Sequence, residues 1–404
     1  MRTDLLPTSP TQTAIAARGV LGANDRIGIA LIGCGARGRV LAAHLGQIEG
    51  TELRAVSDVY RLRMQQAIPP GDARVKAWAD YRRALDSREV DAVIVATPDH
   101  WHVPMTLQAL QAGKDIYVEK PVTHSLNEGE ALLEAVESSR RVVATGTQQR
   151  SWGHFLEAKE LVAQGALGKI TFVRCHWSQS YAGFRAQAAE KVDLNQLDWD
   201  GWLGPAPMQP FDATRFHFWR FFWDFGGGSV TDLMTHWIDV IQWYMASAQV
   251  SEVRAFGTTY TNHWLEAPDT VVATMAYPEG YTAVFEGNMT FGLLGCGIEF
   301  RGDKAMMILN RDGYSIYEEG TMPLEAVGLP EPTYEYQRSD SLSWNERVDG
   351  TGTLDNLRNW LACVRSRAAP NAHIRAGVES AATSHWVNRA IREGNAITVP
   401  SGNG

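Results

Sequence analysis

The stretch that most restricts the fold is "RIGIALIGCGARGRVLAAHL", residues 26–45. A short apolar run ends in glycine, and a pattern with helical spacing comes next. Such a run reads as a strand buried on both faces of a parallel sheet. Gly33, Gly35 and Gly38 stand between strand and helix in G-x-G-x-x-G spacing. In that context the first glycine allows the tight turn, the second admits a pyrophosphate, and the third packs helix on strand. The helix N-terminus favours the phosphate charge. Asp58 ends the next strand-like run, "ELRAVSD", where a carboxylate can accept both ribose hydroxyls.

The alternation continues. "DAVIVAT" (91–97), "DIYVEK" (115–120) and "RVVATG" (141–146) read as strands. "VPMTLQALQAG", closed by Gly113, and "SLNEGEALLEAVESS", capped by Ser125, read as helices. Repeated βα units predict a doubly wound parallel sheet over 27–148. After residue 150, strand-like runs succeed one another around "PEG", "GDK" and "RDG". Two helical patterns, "LDNLRNWLACV" and "VESAATSHWVNRAIREG", close the chain. The expected fold class is α/β: a Rossmann dinucleotide-binding domain over 27–148, then an α+β domain over 149–404 with an open, mainly antiparallel sheet. Two domains also suit 404 residues, more than one core usually fills.

Residues 1–26 read as an arm. They carry an early Arg and small residues, as an export signal does, but lack a twin arginine, and Arg18 interrupts the apolar core. The expected location is the cytoplasm, with the periplasm as the alternative. A net charge of -9 argues against nucleic acid as partner. No apolar run approaches the roughly 18 residues of a membrane span. Cys34, Cys175, Cys296 and Cys363 are scattered, which fits reduced thiols and neither zinc nor a disulfide framework.

Asp58 also bears on cofactor choice. A carboxylate repels a 2′-phosphate, so NAD is expected over NADP, with Arg61 and Arg63 partly offsetting that repulsion. Open α/β sheets bind ligands at the carboxyl ends of their strands. "ATPDHWHVP" (96–104) and "VEKPVTH" (118–124) stand there, which puts Lys120 at the nicotinamide and His100 and His102 near it. The expected cofactor contacts are Gly33, Gly35, Arg37, Gly38, Asp58, Thr97, Pro98, His102, Glu119 and Lys120.

"GGGSVTDLMTHWIDVIQW" (226–243) supplies the remaining chemistry. On a helix, Asp232, His236, Asp239 and Trp243 share one face, the expected cleft wall. Leu233, Trp237, Val240, Ile241 and Tyr244 form the core face. His236 can take a proton from a hydroxyl, Asp232 can orient substrate or imidazole, and Lys120 can stabilise a developing alkoxide. No metal is expected: hydride transfer needs no Lewis acid where Lys120 is present. Eight of the 14 tryptophans lie between residues 152 and 243. In "RFHFWRFFWD", Arg215, His217, Arg220 and Trp223 offer hydroxyl-binding groups and flat apolar faces suited to a sugar or polyol. Arg220 could also hold an acidic group.

"GCGARG", "ATPDHWH", "GKDIYVEKP" and the 226–243 stretch together resemble the Gfo/Idh/MocA oxidoreductase family over about residues 27–400. The resemblance implies catalytic positions at Lys120, Asp232 and His236. It implies a homo-oligomer, dimer or tetramer, formed through the C-terminal sheet. It leaves two reactions open, because relatives include NAD-dependent glycosidases. One is hydride transfer from a ring secondary alcohol of a sugar or polyol. The other is redox-neutral glycoside hydrolysis through transient ring oxidation and elimination. A non-catalytic sensor is the weakest reading, since it gives no reason for Lys120 and His236 to stand at the nicotinamide end.

Overall fold

Apolar runs too short for helices become strands, and their order places the site. The computed structural model describes residues 26–180, 191–320, 334–337 and 344–400. The expected N-terminal arm, save Arg26, lies outside the described residues.

The first sheet contains β1 (Ile27–Ile32), β2 (Thr51–Ser57), β3 (Lys76–Trp78), β4 (Ala92–Val95), β5 (Asp115–Val118) and β6 (Val143–Thr145). All pairs are parallel, in the order β3-β2-β1-β4-β5-β6. β1, β4 and β5 are buried along their whole length, as unbroken apolar runs require. Helices α1 (Ala36–Leu45), α2 (Arg61–Ala67), α3 (His102–Gln111) and α4 (Gly129–Ser139) make the crossovers. A capping box of Ser125 and Glu128 starts the turn ahead of α4. Strand order reverses between β1 and β4, so the loops after β1, β4 and β5 open side by side into one crevice.

After α5 (Gly153–Ala163), β7 (Phe172–Ser178) begins a second sheet. Its further strands are β8 (Glu252–Thr258), β9 (Thr270–Tyr277), β10 (Tyr281–Asn288), β11 (Cys296–Arg301), β12 (Ala305–Leu309), β13 (Gly313–Glu318), β14 (Tyr334–Gln337) and β15 (Ile397–Thr398). The order is β14-β13-β12-β11-β7-β10-β9-β8-β15, antiparallel except where β7 runs parallel to β10. Alternation along β9 and β10 gives one core face, with Val271, Ala273, Met275, Ala283 and Phe285. Helix α6 (Thr235–Met245) adds Trp237 and Ile241 to the same core. The opposite face is open. It carries Phe256 and Val272, and Arg174 bridges Glu286 and Glu299.

The two units are stapled by the chain's end. In α7 (Trp344–Ser366), Leu357, Trp360 and Leu361 join the core under the first sheet, and the Trp360 and Tyr117 rings lie 5.6 Å apart. In α8 (Ile374–Glu393), Ile374 and Val378 pack on the first sheet, while Val387 and Ala390 pack on the second. No described helix is long and apolar enough to cross a membrane.

One expectation fails here. A π-helical turn, Val230–Met234, precedes α6 and rotates that helix relative to Asp232. Asp239 and Trp243, further along α6 than His236, do not extend the cleft wall. Asp239 is wholly buried, and Arg150 Nε donates to both of its oxygens at 2.8 and 3.0 Å. Arg150 also stacks on the Trp243 ring. Asp239→Ala would leave a buried cation uncompensated, at a cost of about 3–5 kcal/mol. Denaturant unfolding should show that loss with NAD affinity unchanged. A loss below about 1 kcal/mol, typical of an exposed pair, would contradict this placement.

Candidate functional site

The glycine loop sets the cofactor end. Gly33 has φ +91, and a Cβ there would meet the Ala96 carbonyl at 2.5 Å. A Cβ on Gly38 would stand 2.0 Å from the Gly33 carbonyl, while one on Gly35 meets open space. The loop is thus tight beneath and open above. Asp58 fastens it, accepting from the Cys34 N–H (2.7 Å) and the Tyr60 N–H (2.8 Å). Burial pushes the Asp58 carboxyl up, against the pull of Arg63 and of these two N–H groups. Arg37, in the first turn of α1, reaches across to Glu119 after β5 at 2.7 Å. Glu119 in turn accepts from the Lys120 N–H at 3.2 Å.

The chemical end joins the two units. Lys120 Nζ donates to the Asp232 carboxylate and to the Asp232 main-chain carbonyl, each at 2.6 Å. Arg220 Nε donates to the same carboxylate oxygen at 3.1 Å. Burial opposes ionisation of Asp232, but Lys120 and Arg220 outweigh it and hold the carboxyl below its ordinary range. His236 comes after Asp232 on the helix, with Nδ1 3.1 Å from Gln149 Oε1. That contact places the proton on Nδ1 and leaves Nε2 as a proton acceptor. Burial, then the charges of Lys120, Arg311 and Arg37, holds His236 well below the ordinary 6.5, so the ring is neutral at pH 7. Trp177 stacks on His236 with centroids 5.7 Å apart, and the Arg311 guanidinium lies 4.9 Å from the Trp177 centroid.

A single cavity of about 770 Å³ runs from Gly35, Arg37 and Asp58 to Lys120, Asp232 and His236. Its residues fit a dinucleotide. The loop leaves room above Gly35, the first turn of α1 holds no acidic side chain, and Arg37 and Arg39 add positive charge beside it.

Gly33, Thr97, Pro98, His102 and Glu119 also line this cavity, as do His217 and Arg220. Gly38 packs beneath the loop instead. Each His102 ring nitrogen faces a carbonyl oxygen, Pro121 at 2.6 Å and Thr97 at 2.9 Å, so the ring ties two loop roots together. His100 lies away from the cavity in the aromatic core against Trp202 and Phe225, where burial takes its pKa down to about 4. Arg215 is spent on Asp224 (2.7 Å) and Glu266 (2.6 Å) and stacks on Phe222, outside the lining. Trp223 also stands outside, under Arg392, and Trp219 takes its place at the wall beside Arg220. Arg63, which stacks on Phe216, reaches the lining, whereas Arg61 does not. Sequence reasoning missed Asp99, Gln149, Trp177 and Arg311. Asp99 lies within the "ATPDHWHVP" stretch, where the flanking histidines drew the assignment. The other three come from distant turns and strands whose meeting no spacing encodes.

Residues 27–147 match the model of an oxidoreductase family with an NAD-binding Rossmann fold, Gfo/Idh/MocA. Residues 156–290 match the C-terminal alpha/beta domain of the same family. The chain is 26% identical over 253 residues to scyllo-inositol 2-dehydrogenase (NAD(+)) of Bacillus subtilis, covering 62% of this chain and 63% of that one. It is 32% identical over 183 residues to glycosyl hydrolase family 109 protein 2 of a Shewanella species, covering 43% and 39%. Across such curated relatives the match covers 39% to 68% of the relative's own length. The structure of scyllo-inositol dehydrogenase from Lactobacillus casei with NAD(H) and scyllo-inositol superposes with a TM-score of 0.68 at 18% identity, over 92% of this chain and 98% of that one. With models of both family domains matched over 27–147 and 156–290, the chain belongs to the Gfo/Idh/MocA oxidoreductase family, and its N-terminal unit is an NAD-binding Rossmann domain.

Proposed function

We propose that this protein is an NAD-dependent dehydrogenase that oxidises a ring secondary alcohol of a sugar or polyol. The observation that carries this reading is the placement of Lys120 Nζ, fixed by Asp232, beside a neutral His236 in the cavity that begins at the glycine loop. NAD, when bound, supplies the hydride acceptor. The chain supplies the proton chemistry. Nε2 of His236 takes the hydroxyl proton. The Lys120 ammonium stabilises the oxygen as negative charge develops. Asp232 holds Lys120 in place, and Arg220 donates to the same carboxylate oxygen. Trp219 offers a flat apolar surface to the ring C–H groups, and Arg220 and His217 offer donors to its hydroxyls.

The glycoside hydrolase relative favours a second reading, redox-neutral hydrolysis through transient ring oxidation. The same Lys120 and His236 would serve it. The chain is expected to form a homo-oligomer through the outer face of the second sheet, where Phe256 and Val272 lie exposed beside the Glu286–Arg174–Glu299 bridge. The four free cysteines support a reducing, cytoplasmic setting.

Lys120→Ala should lower turnover ~100-fold or more with NAD affinity kept within a few-fold, since its contribution arises in the transition state. The assay incubates protein and NAD with free sugars, polyols and aryl glycosides, tracking reduced cofactor and aglycone together. Aglycone release without net reduced cofactor would replace the dehydrogenase by the hydrolase. Near-parental turnover by the Lys120→Ala variant would refute the site in either reaction.

The cofactor should be NAD in preference to NADP, because the Asp58 carboxylate lines the cavity where a 2′-phosphate would stand. Asp58→Ala should weaken NAD binding and narrow the gap, leaving Arg63 and Arg39 to meet the phosphate. Calorimetric titration of both dinucleotides checks this. Tighter NADP binding by the parent protein would contradict it.

A further inference from the structure

The turn after β4 carries Asp99, His100, Trp101 and His102, and the last three are spent on the fold. His100 Nε2 lies 3.2 Å from the Trp202 carbonyl, and Trp101 Nε1 donates to the same carbonyl at 2.9 Å. His102 is held between the Pro121 and Thr97 carbonyls. Asp99 differs. It is 3% exposed and lines the cavity. No described residue donates a hydrogen bond to its carboxylate or pairs with it, yet its oxygens are not sealed away. Its main-chain carbonyl accepts from the His102 N–H, so the backbone fixes where the side chain begins.

A buried carboxyl without a partner is costly and rare. The charges of Arg220, Lys120 and Asp232 all reach Asp99, but both cations donate to Asp232 instead. Burial pushes the Asp99 carboxyl up, and Arg220 and Lys120 pull it down. In either protonation state it keeps an oxygen that accepts a hydrogen bond. Water can meet that oxygen while the cavity is empty. A ligand that expels the water must replace the bond.

The position of Asp99 says which part of a ligand does so. Val95 of β4 pairs with Val118 of β5, and neighbouring strands lie about 4.8 Å apart. Asp99 follows the first strand and Lys120 the second. A ring with one hydroxyl at Lys120 therefore presents a hydroxyl of an adjacent carbon to Asp99. An ammonium in that place would stand beside Lys120 and Arg220, where like charges repel. A carboxylate or phosphate there would offer Asp99 no donor.

We propose that Asp99 is a specificity residue: it accepts the hydroxyl on the ring carbon next to the one oxidised, so the substrate is a ring with a free vicinal diol at the reacting position. This rests on the reading of Lys120 and His236 as the groups that meet the reacting hydroxyl. It adds a second point of attachment, which selects among similar hydroxyls the one that reaches Lys120.

The test takes glucose, galactose and myo-inositol with their monodeoxy derivatives. Binding to NADH-saturated protein is measured by calorimetry, turnover is followed with NAD, and the carbon oxidised is read from the product. Removing the hydroxyl beside that carbon should weaken binding ~10-fold or more, and removing a distant one ~2-fold or less. Asp99→Ala should weaken the parent ligand ~10-fold or more and bring it level with that derivative, with NADH affinity kept within ~2-fold. Should Asp99→Ala fail to fold, a crystal structure of the parent protein with NADH and the bound ring decides, with the Asp99 carboxyl expected within about 3.0 Å of the neighbouring hydroxyl. A carboxyl that meets no ligand hydroxyl there overturns the proposal. So does equal binding of parent and derivative, or an even loss across all ligands at Asp99→Ala, as a structural role would give. A fall in NADH affinity at Asp99→Ala would assign Asp99 to the cofactor and overturn it too. Oxidation that does not depend on the neighbouring hydroxyl overturns this proposal alone. An Asp99-dependent loss on removing one hydroxyl, without any turnover, upholds the contact and overturns the reaction. Binding of none of these rings overturns both.

Discussion

The contact between Lys120 and Asp232 is the one on which the site depends. It joins the end of a strand in the first sheet to a helical turn over the second, across 112 residues of sequence. Without it the two units would still share a core through α7 and α8, but the groups proposed to react would have no fixed relation. A flexible four-carbon side chain carries considerable rotamer freedom. Two acceptors on one residue, a carboxylate oxygen and a main-chain carbonyl, remove most of that freedom before any ligand arrives. That is preorganisation of the kind that electrostatic catalysis needs.

The same pair also governs His236. With Lys120 nearby and burial around it, the imidazole disfavours a second proton and remains a base. Gln149 fixes which nitrogen is free. The carboxylate that pins Lys120 stays ionised because two cations share it. Asp239, beyond His236 in the same regular helix, meets Arg150 and lies outside the cleft.

Much of this was legible in the chain. The parallel sheet, its glycine loop and the strand ends carrying Asp58 and Lys120 arise from local rules of strand length, turn geometry and helix capping. Asp232 and His236 were marked by polarity within an apolar helical run. The failures share a cause. Asp239 keeps the α-helical period with His236, but it is buried against Arg150 instead of facing the cleft. His100, Arg215 and Trp223 had the right chemistry at the right stretch of sequence, but packing decided which side chains reach the cavity. Arg311 and Trp177 were invisible because their nearness to His236 depends on the register of a sheet formed by distant strands.

A crystal structure of the protein with NADH and a turned-over sugar measures the geometry on which the reaction rests. The reacting ring hydroxyl should lie within about 3.2 Å of both Lys120 Nζ and His236 Nε2, with its carbon facing the nicotinamide. A productive complex in which that oxygen meets neither group would contradict the roles assigned to both.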